Sequence, residues 1–149
     1  MELLEAWFPQ PSALPIGPLA QAKVRSLCSV VACDIHPLTN MRVRHALDRP
    51  PDGADQINEW CRRWTLEGLQ TLEAWFVQYA GKYSFADDIS FADFFVAPLI
   101  LNAIRFGCAL EAFPEAQRIY SNCLAHPAFA CMEAAGAEMK AIRGNTNLA

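Results

Sequence analysis

Cysteine is the most reactive residue type in this sequence, and it occurs six times. The six positions are Cys28, Cys33, Cys61, Cys108, Cys123 and Cys131. Their spacing is wide and irregular, without a C-x-x-C pair or a Cys/His cluster at zinc-ligand spacing. A catalytic thiolate would need a helix N-terminus or a cation beside it, and no strand-turn signal precedes any of the six. We therefore predict reduced thiols that pack as small hydrophobic side chains, and no metal site.

The other reactive side chains form no catalytic pattern that the sequence alone identifies. There is no nucleophile-base-acid arrangement, no glycine-rich phosphate loop and no paired-carboxylate site. Asp87 and Asp88 lie in a predicted loop, where aspartates commonly make turns. Trp60 and Trp64 are four residues apart on one helical face, a spacing more typical of a hydrophobic core than of a cofactor platform.

Arg105 is the first candidate for ligand binding, because it ends the most apolar segment of the chain. Residues 91–105 are hydrophobic on nearly every side, which predicts a central helix. An arginine at the end of such a helix must reach either a cleft or a partner acid. Two interpretations stay open: a ligand contact, or a local pairing with Glu111 or with the last carbonyl groups of the same helix.

A second group of candidates surrounds Pro37. His36 immediately precedes this proline, where we predict that a helix is interrupted, so backbone groups freed there could face a ligand. In the local alternative, His36 caps the preceding helix and Asn40 caps the following one. Arg42 and Arg44 come next, and an exposed helical arginine is usually only solvated.

The elements that carry these residues are predicted to be helices, because the hydrophobic residues recur at intervals of three and four. A short helical segment at residues 3–7 precedes a proline-rich linker that ends near Pro18. The further helices are predicted at about 18–34, 38–47, 54–79, 91–105, 114–125 and 127–142. Ser90 and Asp93 form a predicted capping box, and the tail from Gly144 is predicted to be disordered.

Length and composition limit the class of protein. The chain has 149 residues, of which 53% are hydrophobic, and its formal net charge is −4, which predicts one compact domain with an ordinary core. Twelve basic residues against sixteen acidic ones, without a basic block, argue against a nucleic-acid partner. The start of the chain carries acids instead of the Lys or Arg of a signal peptide, and no apolar run approaches about 18 residues. We predict a cytoplasmic protein that has no membrane partner.

Several motifs resemble the helical domain of the zeta-class glutathione transferases, which include the maleylacetoacetate isomerases and their maleylpyruvate isomerase relatives. The resemblance covers about residues 1–133. The matching residues are the segment 32–43 (ACDIHPLTNMRV), Trp60, Trp64, Gly68, Leu72-Glu73, Gly81-Lys82-Tyr83, Ser90-Phe91-Ala92-Asp93, Pro98 and Asn102-Ala103-Ile104-Arg105-Phe106. The capping box belongs to the whole glutathione transferase superfamily, whereas the first and last of these segments are specific to the zeta branch.

This resemblance implies an all-α fold, the C-terminal helical bundle of a glutathione transferase. Residues 1–17 resemble the last helix of a thioredoxin-like domain and the interdomain linker, 18–142 the helical domain, and 143–149 a disordered tail. A full family member begins with a thioredoxin-like domain whose Ser-Ser-Cys type motif activates the glutathione sulfur. That motif is missing here, so we expect a fragment or a truncated relative without catalytic residues of its own, inactive alone.

The resemblance also implies a reaction. In this family the glutathione thiolate adds to a conjugated cis double bond, the resulting single bond rotates, and the thiolate leaves to give the trans isomer. Arg105 matches the arginine that binds a carboxylate of the diacid substrate. His36, Asn40, Met41 and Arg42 match positions that touch the cofactor, glutathione, and Arg42 is also a second candidate for the substrate carboxylates, although Arg44 is equally near.

Two partners are expected on this interpretation, a second copy of the chain in a homodimer or the missing thioredoxin-like domain. The alternative hypothesis is a non-enzymatic module for protein interaction or dimerisation, derived from the same helical domain. Loss of the thioredoxin-like domain would then leave an apolar face near Leu3, Trp7 and Phe8 for another protein.

Overall fold

The computed structural model describes residues 1–48 and 53–132. Within these ranges the chain is helical, and the only β contact is an isolated bridge between Ala80 and Ala86, so the predicted all-α class is confirmed. The elements are α1 (Glu2–Trp7), α2 (Pro18–Ser29), a π-helical segment (Val30–Ile35), α3 (His36–Thr39), α4 (Met41–Leu47), α5 (Gly53–Tyr79), α6 (Phe91–Arg105), α7 (Pro114–Leu124) and a 3₁₀ turn (Pro127–Phe129).

Most of the predicted helices are present, and their ends lie within a few residues of the predicted ends. The long helix expected at 54–79 is α5, and the one expected at 114–125 is α7. The helix predicted for 127–142 begins as a 3₁₀ turn, and its remainder beyond residue 132 lies outside the described residues. The same holds for the predicted tail at 143–149 and for most of the predicted loop between Asp48 and Gly53.

Helix α6 lies at the centre of the bundle, as its all-round hydrophobicity predicts. Eight of its residues are buried: Phe91, Ala92, Asp93, Val96, Ala97, Leu99, Ile100 and Ala103. It packs against α2, the π segment, α5 and α7. The side chain of Arg105, in the last turn of this helix, therefore starts from a backbone that the core holds in place.

The predicted capping box at the start of α6 is present and reaches further than a local cap. The Asp93 carboxylate accepts hydrogen bonds from the backbone N–H groups of Ser90 and Ser84, each at 2.8 Å. The Ser90 hydroxyl donates to the same carboxylate at 3.2 Å. Because Ser84 belongs to the loop after α5, the capping residue also fixes that loop against α6.

Pro37 does not interrupt the helix that begins at Pro18, contrary to the sequence prediction. The helical backbone continues through the π segment and α3 and ends at Thr39. In the π segment the hydrogen bonds skip one further residue, as in the bond from the His36 N–H to the Val31 carbonyl. Pro37 has no N–H to donate, and its ring would clash with the carbonyl four residues earlier in a regular α-helix. A wider turn before the proline accommodates both changes.

Gly68 brings α5 close to the π segment. A Cβ atom at this position would lie only 2.3 Å from the Cδ1 atom of Ile35, which is buried. The absence of a side chain at Gly68 therefore allows α5 and the π segment to pack closely. This contact also positions α3 and α4, which follow the π segment.

Helix α1 contacts the bundle through its acidic side chains. Glu2 pairs with Arg25 on α2 at 2.6 Å, and Glu5 accepts a hydrogen bond from the backbone N–H of Ala13 at 3.0 Å. Its apolar side chains are exposed, among them Trp7 at 65%, and Phe8, the residue after the helix, is 67% exposed. Helix α1 therefore contributes no buried residue to the core.

Candidate functional site

The candidate residues lie at two places in the bundle, on α3 and α4 and at the C-terminal end of α6. The two places meet at Phe106, the residue after α6. The guanidinium carbon of Arg44, on α4, lies 5.8 Å from the centre of the Phe106 ring. Arg62, on α5, donates from Nε to the Phe106 carbonyl at 3.3 Å. The fold thus brings Phe106, at the end of α6, next to α4.

Asn40 has the local role that the sequence left as an alternative. Its Oδ1 atom accepts a hydrogen bond from the backbone N–H of Arg42 at 3.1 Å and so caps α4. The cap and the extended backbone of Asn40 separate α3 from α4, which the sequence predicts as one stretch from 38 to 47. Met41, the first residue of α4, has an exposed side chain.

The side chain of His36 is less exposed to solvent than that of an ordinary surface histidine. Its Nε2 atom is buried and has no hydrogen-bond partner within the described part of the chain, so no capping bond from this atom is formed. Burial lowers the pKa of the His36 imidazole below its usual value, because desolvation penalises the charged form. The His36 imidazole is therefore neutral at neutral pH, with its Nε2 atom shielded from solvent and unpaired among the described residues.

The lowered pKa of His36 predicts how stability depends on pH. The unfolded chain takes up the proton near the ordinary pKa of about 6.5, whereas the folded chain resists it, so the free energy of unfolding should fall as pH drops below about 6.5. Each unit of difference between the two pKa values costs about 1.4 kcal/mol. Urea titrations at about pH 7.5 and about pH 5.5 measure this loss.

In this experiment His36→Asn should lose less stability between the two pH values than the unmodified chain does. His45→Asn, at an exposed position of α4, is the matched control. If His36→Asn and the unmodified chain lose the same free energy of unfolding between the two pH values, protonation of His36 is not the cause of the loss.

Arg42 and Arg44 differ in a way that their spacing does not reveal. Arg42 is exposed, and its side chain makes no ion pair or hydrogen bond to any residue that the structure describes. Arg44 is half-buried, and its Nη1 atom lies 3.4 Å from the Met41 sulfur. Of the two, Arg44 is the one that the fold holds beside the end of α6.

Arg105 is half-buried and donates from Nη1 to the Asn102 carboxamide oxygen at 3.3 Å. The local pairing with Glu111 that the sequence allowed is not among the ion pairs of the described residues. Asn102 orients the guanidinium without neutralising its charge. An arginine in this state can bind a carboxylate through two parallel hydrogen bonds.

The cysteines behave as predicted at four of six positions. Cys28, Cys61, Cys108 and Cys123 are buried, and all six thiols are free. Burial raises the pKa of Cys28 to about 11 and raises those of the other three buried thiols as well, so these thiols stay protonated at neutral pH.

The packing prediction is wrong for Cys33 and Cys131, whose side chains are exposed. Cys33 belongs to the π segment and Cys131 follows the 3₁₀ turn, and both lie on the solvent side of helical backbone. Periodicity near a helix end does not resolve the buried side from the exposed side at one position.

Two cavities of the described chain are not lined by any of the candidate residues. One, of about 780 Å³, lies between the linker and the loop after α5 and is lined by Leu14, Lys82, Phe94 and His126 among others. A second, of about 590 Å³, opens along α5 near Arg63 and Leu66.

In residues 1–48 and 53–132, no helix combines the length and hydrophobicity needed to cross a membrane. The same ranges contain no group of three or more His, Cys, Asp or Glu side chains that could hold a metal ion.

Comparison with known proteins gives relatives of one kind. No protein-family profile matches the chain. The chain is 37% identical, over 131 residues, to a maleylacetoacetate isomerase of Pseudomonas aeruginosa. This alignment includes 87% of the chain and 60% of the relative, so the chain spans about three fifths of that relative's length.

Solved structures of the same kind superpose well on the chain. A holo maleylpyruvate isomerase, described as a bacterial glutathione transferase of the zeta class, matches with a TM-score of 0.82 at 33% identity, covering 87% of this chain and 62% of that one. A maleylpyruvate isomerase from Pseudomonas aeruginosa matches with a TM-score of 0.79 at 32% identity, over 87% and 69% of the two chains.

One of the similar structures with bound ligands holds two of them in its active site. It is a maleylacetoacetate isomerase from Anaeromyxobacter dehalogenans with bound dicarboxyethyl glutathione and citrate, with a TM-score of 0.80 and 33% identity over 87% of this chain and 58% of that one. Both of its ligands carry several carboxylates, the groups that arginine binds best.

Proposed function

Because the chain belongs to the family of zeta-class glutathione transferases and maleylacetoacetate isomerases, we propose that it forms the substrate-binding helical half of a glutathione-dependent cis-trans isomerase. Its substrates on this proposal are diacids of the maleylacetoacetate or maleylpyruvate type, and its location is cytoplasmic. The observation that carries the proposal is the Arg105 guanidinium, fixed at the end of the central helix by the neutral side chain of Asn102.

The proposed chemistry needs a cation at this place. A diacid that enters a largely apolar cleft loses hydration around both carboxylates, and a guanidinium replaces part of that hydration with two directed hydrogen bonds. Addition of the thiolate across the double bond also pushes negative charge toward the conjugated carbonyl system. A fixed positive charge nearby stabilises that charge without having to reorganise.

The proposal divides the reaction between two structural halves. His36, Asn40, Met41 and Arg42 are assigned to one side of the glutathione site, and Arg105 to the substrate. Activation of the glutathione thiol is assigned to the thioredoxin-like domain that the family resemblance implies. The 149-residue chain alone should therefore have no isomerase activity, and we propose a homodimer for the complete enzyme.

A non-enzymatic interaction module is the second candidate, and the exposed face of α1 favours it. Leu3, Leu4 and Trp7 on α1 and Phe8 directly after it are between 53% and 67% exposed. A group of such side chains marks a surface for another protein. In the isomerase proposal the thioredoxin-like domain covers this face. In the alternative an unrelated partner or a second copy covers it.

Titration calorimetry of the purified chain with glutathione tests the isomerase proposal, at concentrations that detect a dissociation constant of about 1 mM. We expect saturable binding that His36→Ala weakens, because the unpaired Nε2 atom would lose its ligand contact. Asn40→Ala should weaken it as well, since α4 would lose its cap.

Arg63→Ala is the matched control for this titration, because Arg63 is exposed on α5 and stacks only on Trp64. Binding that survives in all three variants would remove the assigned residues from the glutathione site. If glutathione does not bind at all while the chain self-associates through Trp7 and Phe8, the interaction module becomes the better explanation.

A further inference from the structure

We propose that the cavity between the linker and the loop after α5 is a binding site for a small zwitterion with an apolar body, such as a hydrophobic α-amino acid. This site is independent of the isomerase proposal and lies at the other end of the central helix. Ser90 and Phe94, at the start of α6, line the cavity, whereas Arg105 is in the last turn. Over the 15 residues of α6 a helix rises about 22 Å, so a small ligand in the cavity does not reach Arg105.

Two walls of this cavity, the linker and the loop after α5, are held in place by hydrogen bonds to helices. Asn122, on α7, donates from its carboxamide to the Lys82 carbonyl at 2.7 Å. On the linker side, the Ala13 carbonyl accepts from the backbone N–H of Phe91, on α6, at 2.8 Å. The cavity, of about 780 Å³, is therefore formed before any ligand binds, as small-molecule sites usually are.

Three side chains that line the cavity form a corner suited to a carboxylate. The Lys82 ammonium lies 4 to 6 Å from its aromatic neighbour, at 5.2 Å from the centre of the Tyr83 ring, and it makes no ion pair with a described residue. The His126 ring stands nearly at a right angle to the Tyr83 ring, with centroids 6.0 Å apart. Its Nδ1 atom accepts from the backbone N–H of Ala128, so in the neutral imidazole the Nε2 atom carries the proton and can donate it.

The hydroxyl group of Tyr83 is a further donor for the same ligand group. Tyr83 is only 4% exposed, yet its hydroxyl has no hydrogen-bond partner among the described residues and is not one of the fully enclosed unpaired atoms. The hydroxyl is therefore open to the cavity that Tyr83 lines. Buried tyrosines usually satisfy their O–H group, and an oxygen atom of a ligand in this cavity would do so.

Asp88 supplies the opposite charge at the same cavity. Its carboxylate makes no ion pair or hydrogen bond with a described residue. Its neighbour Asp87 is used within the loop, where Oδ1 accepts from the backbone N–H of Lys82 at 2.8 Å. Lys82 and Asp88 thus present opposite, unpaired charges to one cavity. A ligand with both an anionic and a cationic group matches them, whereas a simple anion would be repelled by the two aspartates.

The rest of the lining is mostly apolar and fits the body of such a ligand. Leu14, Phe85, Ile89 and Phe94 line the cavity and are only partly buried against the core. Each of them therefore keeps apolar surface that a ligand can remove from water. Because two of the four are aromatic, a flat aromatic side chain on the ligand packs well here.

L-Tryptophan is the probe for this inference, and indole-3-propionate and tryptamine are its controls, because each of them lacks one of the two charges. Titrations of the 149-residue chain followed by NMR should show saturable binding of tryptophan, with a dissociation constant of about 1 mM or lower. Each control compound should bind at least about fivefold more weakly. The backbone amide signals that shift should be those of the loop around Lys82 and of the turn around His126, and not that of Arg105.

Two substitutions should each remove one part of this selectivity. Lys82→Met keeps the alkyl contact with Tyr83 but loses the charge, so it should weaken tryptophan binding about tenfold without weakening tryptamine binding. Asp88→Asn should weaken tryptophan binding without weakening that of indole-3-propionate. Lys23→Met is the matched control, because Lys23 also stacks on a tyrosine, Tyr79, at 4.0 Å, but does not line the cavity.

Tryptophan binding that neither Lys82→Met nor Asp88→Asn weakens would overturn the inference, as would control compounds that bind as tightly as tryptophan. A chain that shows no saturable binding up to about 10 mM tryptophan would overturn it as well. Signal shifts confined to α4 and Arg105 would place the ligand at the other end of α6, against the inference. None of these outcomes bears on the isomerase proposal, which rests on that other end. Thermal unfolding of each variant shows that the comparison is made on folded protein.

Discussion

Asp93→Ala should be the most damaging single change to the fold, lowering the free energy of unfolding by about 3–5 kcal/mol. The carboxylate is fully buried and accepts from the N–H groups of Ser84 and Ser90, each at 2.8 Å. Alanine would leave both buried donors without an acceptor, at about 1–3 kcal/mol each. The loop after α5 would also lose its attachment to α6.

Chemical unfolding of the variant beside Ser90→Ala measures this effect. Ser90→Ala removes the hydroxyl that donates to the Asp93 carboxylate at 3.2 Å and accepts from the Asp93 backbone N–H in the capping box, and it should cost about 1 kcal/mol. Comparable losses for the two variants would mean that the helix cap accounts for the whole effect, and that the bond to Ser84 contributes little.

Arg105→Ala should produce the largest loss of activity in a complete two-domain enzyme. We expect kcat/KM to fall by an amount equivalent to about 2–4 kcal/mol of transition-state stabilisation, or roughly 30- to 1000-fold, as for a desolvated charge-assisted contact. Arg105 takes part in none of the ion pairs of the described residues, and Asn102 holds its guanidinium in position before a ligand arrives.

The measurement can be made on a fusion of this chain to the thioredoxin-like half of the Pseudomonas aeruginosa relative, with a maleyl diacid as substrate. Arg63→Ala, at an exposed arginine of α5, is the control and should retain full activity. Kinetics of Arg105→Ala that match the unmodified fusion would refute the assigned role. An inactive unmodified fusion would instead point to the interaction module.

The sequence predicted the helices well where long-range packing and local signals agree. The capping box of Ser90 and Asp93 and the all-round apolar pattern after it predicted both the start and the central position of α6. Nothing in the local pattern shows that Asp93 also binds the N–H of Ser84, because that contact depends on the path of the loop after α5. Glu73, which accepts from the first N–H groups of α7 at 2.7 and 3.0 Å, was missed for the same reason.

The helix break predicted at Pro37 does not occur, because a proline can be accommodated in a helix in two ways. It can end the helix, or the preceding turn can widen until the missing N–H and the ring are accommodated. The second outcome needs support from outside the segment, which the close contact between Ile35 and Gly68 provides. Periodicity within 18–39 carries no information about that contact.

The assignment of residues to the candidate site stays a prediction. The sequence and the resemblance together selected Arg105 and the segment from His36 to Arg42, and the fold brings α4 to the end of α6. The sequence could not rank Arg42 against Arg44, because spacing alone does not show which side of a short helix faces Phe106. Once the positions are known, the signal is the aromatic ring after Arg105, on which an arginine can stack.

Helix α1 is attached to the bundle by polar contacts, so it can unfold without the bundle unfolding. Helix α1 is held by an exposed ion pair and by contacts of Glu5 to the linker, whereas the apolar cluster of the bundle begins at the linker residue Ala13. Exposed ion pairs contribute about 0–1 kcal/mol and weaken with ionic strength. Helix α1 should therefore unfold and refold as a separate unit of low stability while the bundle stays folded. At high salt this unfolding should become more frequent, and it would expose the linker together with the apolar side chains of α1.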